Sequence, residues 1–133
     1  MENLISSLES LHALKFHHIG IVIPSLKALG EDVSITFDSN QQVFLTFAQI
    51  GDIRVEFLEP VNEKSPVYNS LRKNNKLVHI CFEVDSLNLE ISKLKTLGFT
   101  LISPPVEAIA FPMMKIAWLF HKSLGLIELL GGD

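Results

Sequence analysis

Apolar and polar positions along the chain recur at two spacings. Runs rich in β-branched and aromatic residues, bounded by Gly, Pro, Asn, Asp or Ser, predict strands at 16–23, 33–37, 43–49, 53–58, 78–84, 99–103, 115–120 and 126–130. Three stretches show helical spacing instead. Leu4, Ile5, Leu8 and Leu11 mark an amphipathic helix over 2–13. Ser65 and Pro66 suit the cap and first position of a helix over 66–73. Leu87, Ile91 and Leu94 mark a third over 87–97, with Ser86 as its cap and Gly98 to end it in the left-handed conformation.

The pattern repeats. Residues 18–26 read HIGIVIPSL and residues 79–87 read HICFEVDSL, matching at His, Ile, Ser and Leu with a constant offset of 61. Each copy closes on a strand with one acid: Glu56 in IRVEFL (53–58) and Glu128 in LIELL (126–130). His18 and Glu56 lie 38 positions apart, His79 and Glu128 49 apart. The 11 extra residues fall where the second copy has its helix; the first has only PSLKALGED, enough for about one turn. The first module has therefore lost most of its helix. The N-terminal amphipathic stretch is a candidate to cover the sheet face so exposed. EPVNEKS (59–65) reads as the linker between modules.

Strand alternation sorts the side chains into faces. His18, Gly20 and Val22 oppose Ile19, Ile21 and Ile23; His79, Cys81 and Glu83 oppose Ile80, Phe82 and Val84. The all-apolar faces are expected to pack on helices, leaving the histidines on the concave side. Glu128 sits in GLIELLG with no polar neighbour. A buried, unpaired carboxylate costs several kcal/mol, so it needs a cation. Glu56 has an alternative partner in Arg54 on its own face. If pseudo-two-fold symmetry closes both modules around one cleft, His18, Glu56, His79 and Glu128 converge. Two imidazoles and two carboxylates suit a divalent first-row metal, with solvent or substrate in the remaining positions.

The other candidates read more plainly. His17 points to the opposite face as a packed or rim residue. His12 belongs to the N-terminal helix and His121, in FHKS, to a hairpin. Cys81 reads as a small buried thiol rather than a nucleophile, and Glu83 as a solvated strand end. Arg72, Lys73, Lys115 and Lys122 suit a solubilising surface, with coenzyme A phosphates as the alternative partner.

Composition narrows the class. At 133 residues, 47% apolar and 20% charged, one domain spanning 1–133 with a real core is expected. The net charge of −4 argues against nucleic-acid and anionic-membrane partners. No apolar run approaches the roughly 18 residues of a membrane span. MENLISSLESLHAL lacks the basic region and cleavage site of a signal peptide. One cysteine excludes an internal disulfide and fits a reducing compartment. A soluble cytoplasmic protein is expected.

The segments HHIGIVIPSL (17–26), VEFLEP (55–60), SPVYNSLRKNN (65–75), VHICFEVDSL (78–87) and LIELL (126–130) carry a family resemblance. The chain resembles the vicinal oxygen chelate superfamily of glyoxalases, bleomycin-resistance proteins and dioxygenases, and within it the methylmalonyl-CoA epimerase family. The resemblance implies an α+β fold of two βαβββ modules, about 14–60 and 77–131, forming a curved mixed sheet around a metal cleft. It places a divalent ion (Zn, Co, Ni or Mn) on His18, Glu56, His79 and Glu128, and makes Glu128 the catalytic base as well. It implies an enzyme, an epimerase or isomerase that takes the α-proton of a small acyl thioester such as an acyl-CoA through a metal-stabilised enolate, working as a homodimer. Two departures keep alternatives open. Leu45, in VFLTFAQ, stands where some members carry a further carboxylate. AIAFPMM (108–114) replaces a glycine-rich turn. A single carboxylate also supports glyoxalase I-like isomerisation of a glutathione hemithioacetal. A non-catalytic ligand-binding protein of the bleomycin-resistance type is the other alternative. A ring-cleaving dioxygenase needs two histidines and one carboxylate, and this chain offers a fourth ligand.

Overall fold

The computed structural model describes residues 3–133. Its elements run α1 (Leu4–Glu9), β1 (Lys15–Val22), a single 3₁₀ turn (Leu26–Leu29), β2 (Thr36–Asp38), β3 (Val43–Ile50) and β4 (Ile53–Pro60), then α2 (Tyr68–Arg72), β5 (Leu77–Ser86), α3 (Leu87–Thr96), β6 (Thr100–Glu107), β7 (Lys115–His121) and β8 (Gly125–Gly132). The eight strands form one curved mixed sheet in the order β2-β3-β4-β1-β5-β8-β7-β6. Each half follows strand, helix or turn, then three strands.

The halves meet where β1 pairs antiparallel with β5. Within each half the first strand runs parallel to the last, β1 beside β4 and β5 beside β8. Gly20 stands opposite Glu56 and Cys81 opposite Glu128. Gly20 and Cys81 each follow their histidine by two positions, so the sequence repeat is a repeat of register as well.

The helix deficit of the first half is real: only Leu26–Leu29 turns there. In the second half α3 starts and stops as its sequence dictates. Ser86 accepts the Leu89 amide at 3.3 Å, and Gly98 adopts a φ of +98° behind the last turn. Leu87, Ile91 and Leu94 pack down onto Val84, Leu119 and Leu129. Each such fully buried side chain contributes about 1.5–3 kcal/mol. A second core lies on the histidine side of the sheet, built from Val22, Val43, Leu45, Leu58, Ile116, Trp118 and Leu130.

Several expectations are corrected. The N-terminal helix is shorter than 2–13 and ends at Glu9; its proposed first residue, Glu2, lies outside the described residues. Leu8, Leu11 and Leu14 do not cover the first half. They join the core beneath α3, where Phe82, Leu101 and Ile127 extend the apolar seat. The outer face near the seam is only partly covered: Phe16 and Ile53 of the first half and Ile80 of the second are 54%, 42% and 43% exposed, and Ile19 and Ile21 are half-buried. In the second half α3 covers Val84 and Phe82 but not Ile80, and in the first half only the single 3₁₀ turn lies against β3 and β4. The helix expected at 66–73 is regular only from Tyr68, because Ser65 and Pro66 are used in turns in which Ser65 N–H donates to Asn62 O and Tyr68 N–H to Ser65 O. Of the expected linker, Glu59 and Pro60 belong to β4, and the Glu59 carboxylate accepts the Leu26 amide at 2.8 Å. β2 is shorter than expected and β6 longer. β6 passes Pro104 and Pro105, which have no N–H to give, through shifts of register between Leu101 and Ser103 and between Ser103 and Val106. No helix among the described residues is long and apolar enough to cross a membrane.

Candidate metal centre

Four strands each deliver one functional side chain to the middle of the histidine-side core. His18 comes from β1, Glu56 from β4, His79 from β5 and Glu128 from β8, and each is at most 4% exposed. Gly20 makes this possible. It lies across the β1–β5 pair from His79, and any Cβ at that position would occupy the space of the imidazole ring. The His79 ring also packs edge-on against Trp118, with centroids 4.7 Å apart.

The four donor atoms surround a common point. His18 Nε2 lies 3.1 Å from both Glu56 Oε1 and Glu128 Oε1. His79 Nε2 lies 3.5 Å from Glu56 Oε1 and 3.2 Å from Glu128 Oε1. The two imidazole nitrogens are 3.3 Å apart, and all four atoms fall within 4.8 Å of one another. Donors held about 2.1 Å from one ion stand about 3.0 Å apart at right angles and about 3.4 Å apart at the tetrahedral angle. The five spacings, 3.1–3.5 Å, lie within or 0.1 Å beyond that range. Glu128 Oε1 is fully buried without a hydrogen-bond partner, so its lone pairs face the centre. The residues therefore fit a divalent ion, and nitrogen with carboxylate oxygen is a first-row transition-metal donor set.

Protons hold the same groups together when no ion does. Burial pulls the His79 ring toward neutrality, but its contacts with Glu128 and Glu56 outweigh burial and lift its pKa to about 9. His18 shifts upward through the same balance. Burial raises Glu128, and the His18 and His79 contacts overcome it, bringing the carboxyl to about 2. A raised histidine stabilises the fold fully below its ordinary value of 6.5, and that stability is lost as pH rises through about 9. A depressed carboxyl stabilises above its ordinary 4.5, and that stability is lost as pH falls toward about 2. Chelator-treated protein is expected to show its highest thermal midpoint between these ordinary values, declining on the alkaline side. With zinc added the alkaline decline is expected to reverse, because protons compete with the ion for imidazole. Midpoints that fall equally with and without zinc would contradict this.

His17 departs from its expected place. The β1–β5 register slips between Phe16 and His18, so His17 is an extra, bulged residue and alternation fails there. Its ring lies on the His18 side, with the two Nδ1 atoms 2.7 Å apart. Arg54, the candidate partner of Glu56, reaches His17 Nε2 instead at 2.7 Å. Burial, His18 and Arg54 together lower the His17 pKa. His12 lies beyond the end of α1 rather than on it, and is exposed. His121 accepts the Ser123 amide in the β7–β8 hairpin and packs on Phe99. Cys81 is wholly buried, and burial first, then the nearby carboxylates, push its thiol well up, so it is no nucleophile. Glu83 is half-buried opposite Lys15. Arg72, Lys73 and Lys122 are exposed; Lys115 is half-buried, with its ammonium 3.7 Å from Asp133.

Sequence reasoning missed the shell around the centre. Gln41 accepts from Trp118 Nε1 at 2.8 Å and donates to Asp38 Oδ2 at 2.7 Å, while Asp38 Oδ1 accepts the amides of Asn40 and Gln41. A small space of about 10 Å³ remains beside His18, Glu56 and Glu128, reaching Asp38, Leu45 and Phe111. That is room for about one water-sized probe. Phe111 closes it, resting edge-on against His17 and Phe47 at 5.0 and 5.4 Å. The only local signal for this was the bulky, apolar loop 108–114.

The fold and the centre define a two-module protein with a histidine–carboxylate site at the seam. The Glyoxalase/Bleomycin resistance protein/Dioxygenase superfamily model matches residues 17–118, and the chain belongs to that superfamily. Among its relatives, human mitochondrial methylmalonyl-CoA epimerase is 29% identical over 104 residues, which are 70% of this chain and 59% of the relative. The Dictyostelium discoideum mitochondrial methylmalonyl-CoA epimerase is 30% identical over 101 residues, 68% of this chain and 61% of that one. The chain thus spans about three-fifths of the length of these relatives. A single-site variant of Streptomyces coelicolor methylmalonyl-CoA epimerase, solved in complex with 2-nitronate-propionyl-CoA, shares the fold at a TM-score of 0.70 and 24% identity, covering 90% of this chain and 94% of that one.

Proposed function

We propose that this protein is a metal-dependent epimerase acting at the α-carbon of a small acyl-CoA thioester. The observation that carries the proposal is the convergence of His18, Glu56, His79 and Glu128 on one buried point, in a chain whose relatives are named methylmalonyl-CoA epimerases. His18, Glu56, His79 and Glu128 would hold a divalent ion, which would supply Lewis-acid polarisation of the thioester carbonyl. Glu128 would be the base as well as a ligand: it is the fully buried carboxylate whose Oε1 faces the centre without a hydrogen-bond partner. His18, His79 and Glu56 hold position. Phe111 and Ala110 must move aside to admit an acyl group, since the space they cover is water-sized. Once substrate is seated, the apolar walls of Leu45, Ile116 and Leu130 keep water from the reacting carbon.

Epimerisation also needs a proton delivered to the opposite face. Leu45 supplies none, and Asp38, the one further carboxyl lining the space, already accepts three N–H donors. This favours a second reading, one-face isomerisation of a glutathione hemithioacetal with Glu128 alone. Incubation in deuterated water with methylmalonyl-CoA, other 2-acyl thioesters and methylglyoxal–glutathione, with metal content measured on the same sample, separates the readings. Deuterium entering the α-position with loss of optical purity supports the epimerase, and turnover of the hemithioacetal alone supports the isomerase. No exchange and no metal would leave a binding protein of the bleomycin-resistance type.

We also assign the protein to the cytoplasm and to a homodimer. The bare apolar strip of Phe16, Ile53 and Ile80 suits a second copy. Sedimentation is expected to give twice the monomer mass, and Ile80→Lys to halve it; a monomeric wild type would refute the dimer.

A further inference from the structure

We propose that the β2–β3 turn is a clasp that sets the size of the acyl group the centre accepts, with Gln41 and Asn40 as its positioning residues; this rests on the acyl-thioester reading above. The strand order puts β2 and β3 at one edge of the sheet and β7 and β6 at the other. Two side-chain hydrogen bonds cross between those edges. Gln41 Oε1 accepts from Trp118 Nε1 of β7 at 2.8 Å, and Asn40 Nδ2 donates to the Glu107 carbonyl at the end of β6 at 3.0 Å. The turn is first fixed to its own half. Asp38, wholly buried, accepts the Asn40 and Gln41 amides on Oδ1 and Gln41 Nε2 on Oδ2. Gln42, at a φ of +55°, turns the chain into β3; its carbonyl accepts the Val61 amide at 2.9 Å and its Oε1 accepts from Asn62 Nδ2 at 3.1 Å. An indole N–H only donates, so the Gln41 oxygen must face Trp118 and its nitrogen Asp38.

Both crossing bonds act on the walls of the ligand space. Trp118 packs edge-on against His79 and shares a core with Leu45, Ile116 and Leu130, which line the space together with Asp38 and Gln41 themselves. Leu45 belongs to β3 and Ile116 to β7, so the separation of those strands sets the width of the space. Apolar contact between the walls is non-directional. The Gln41–Trp118 bond is directional and buried, and it fixes the separation. Glu107 is the foot of the 108–114 loop, and that loop holds itself together. Ala108 N–H donates to Met114 O at 3.0 Å, Phe111 N–H to Ala108 O at 3.2 Å and Met114 N–H to Phe111 O at 3.1 Å. Phe111 can therefore lift with the loop without breaking those bonds, while Asn40 keeps the foot in place. A ligand that displaces Phe111 gains depth but no width. The site then admits a thioester with a short alkyl group on its α-carbon and rejects one with a broad ring there.

The test is equilibrium binding of butyryl-CoA thioesters carrying an α-methyl, α-ethyl or α-phenyl group to the full-length, zinc-supplemented protein, alongside the emission of Trp118, its single tryptophan. The wild type is expected to bind the α-methyl and α-ethyl compounds alike and the α-phenyl compound about tenfold or more weakly. Gln41→Leu is expected to cut that gap several-fold and to move the Trp118 emission to longer wavelength as water reaches the ring. Asn40→Ala, at an exposed position, is expected to cut the gap in the same direction with the fold intact. Lost stability alone would weaken all three ligands together, so the ratio separates positioning from support. A gap that both variants leave unchanged overturns the clasp and leaves the thioester reading standing, as does a wild type that binds all three compounds equally. If Gln41→Leu does not fold, Asn40→Ala decides. A wild type that binds none of them overturns the clasp together with the thioester reading.

Discussion

Glu128→Gln is expected to keep an ion and lose the chemistry, whereas Glu128→Ala loses both. The distinction follows from what each side chain retains. The glutamine carbonyl still presents an oxygen where Glu128 Oε1 lies, 3.1 and 3.2 Å from the two histidine nitrogens. Its amide cannot take a proton, and removal of a general base costs about 10²–10⁴ in rate. Alanine leaves a gap in the donor set. Loss of an outer-shell partner costs 10–100-fold in metal affinity, so loss of a direct ligand should exceed about 100-fold. Metal content and α-deuterium exchange, measured on variants shown by circular dichroism to be folded, provide the check. Full metal occupancy in Glu128→Ala would remove Glu128 from the ligand set.

Gly20→Ala is expected to damage both fold and centre, although it adds only one carbon. No unusual backbone angle is involved at Gly20; the cost is space, because the new Cβ falls within the His79 ring. The strand pairing cannot yield easily, since Gly20 is bonded between Glu56 on one side and His79 on the other. The ring must leave the centre or the strands must part. Overpacking of this kind costs about 1–3 kcal/mol, and a displaced His79 no longer ligates. Denaturant unfolding should show the loss in Gly20→Ala and little of it when His79→Ala is already present, because the two residues contend for one space. An additive pair of losses would place the cause elsewhere.

The large features of the chain were legible because they repeat or cannot be hidden. The 61-residue offset survives as identical register, Gly20 on Glu56 and Cys81 on Glu128. Glu128 stood out because its strand offers a carboxylate no partner. The α3 helix announced both ends through Ser86 and Gly98. What failed was distant packing that the repeat does not encode. The bulge at His17 breaks the two-residue alternation from which its face was read, and nothing local marks it. Trp118 and Gln41 are 77 positions apart, so their bond has no trace in either neighbourhood. The stripe of Leu8 and Leu11 was readable, but its destination was not, because an apolar face does not say which apolar seat it takes.

The seam between the halves has a stereochemical consequence. Its donors come as two matched pairs, one imidazole and one carboxylate from each half, yet the space beside them reaches His18, Glu56 and Glu128 and not His79, so the two pairs do not face a ligand alike. Handedness must then arise from what the duplication does not copy. On one side stand His17, Arg54 and the ring of Phe111; on the other, Trp118 braced by Gln41. A preference for one mirror image of a ligand is therefore open to adjustment at these outer residues while the four inner donors stay as they are.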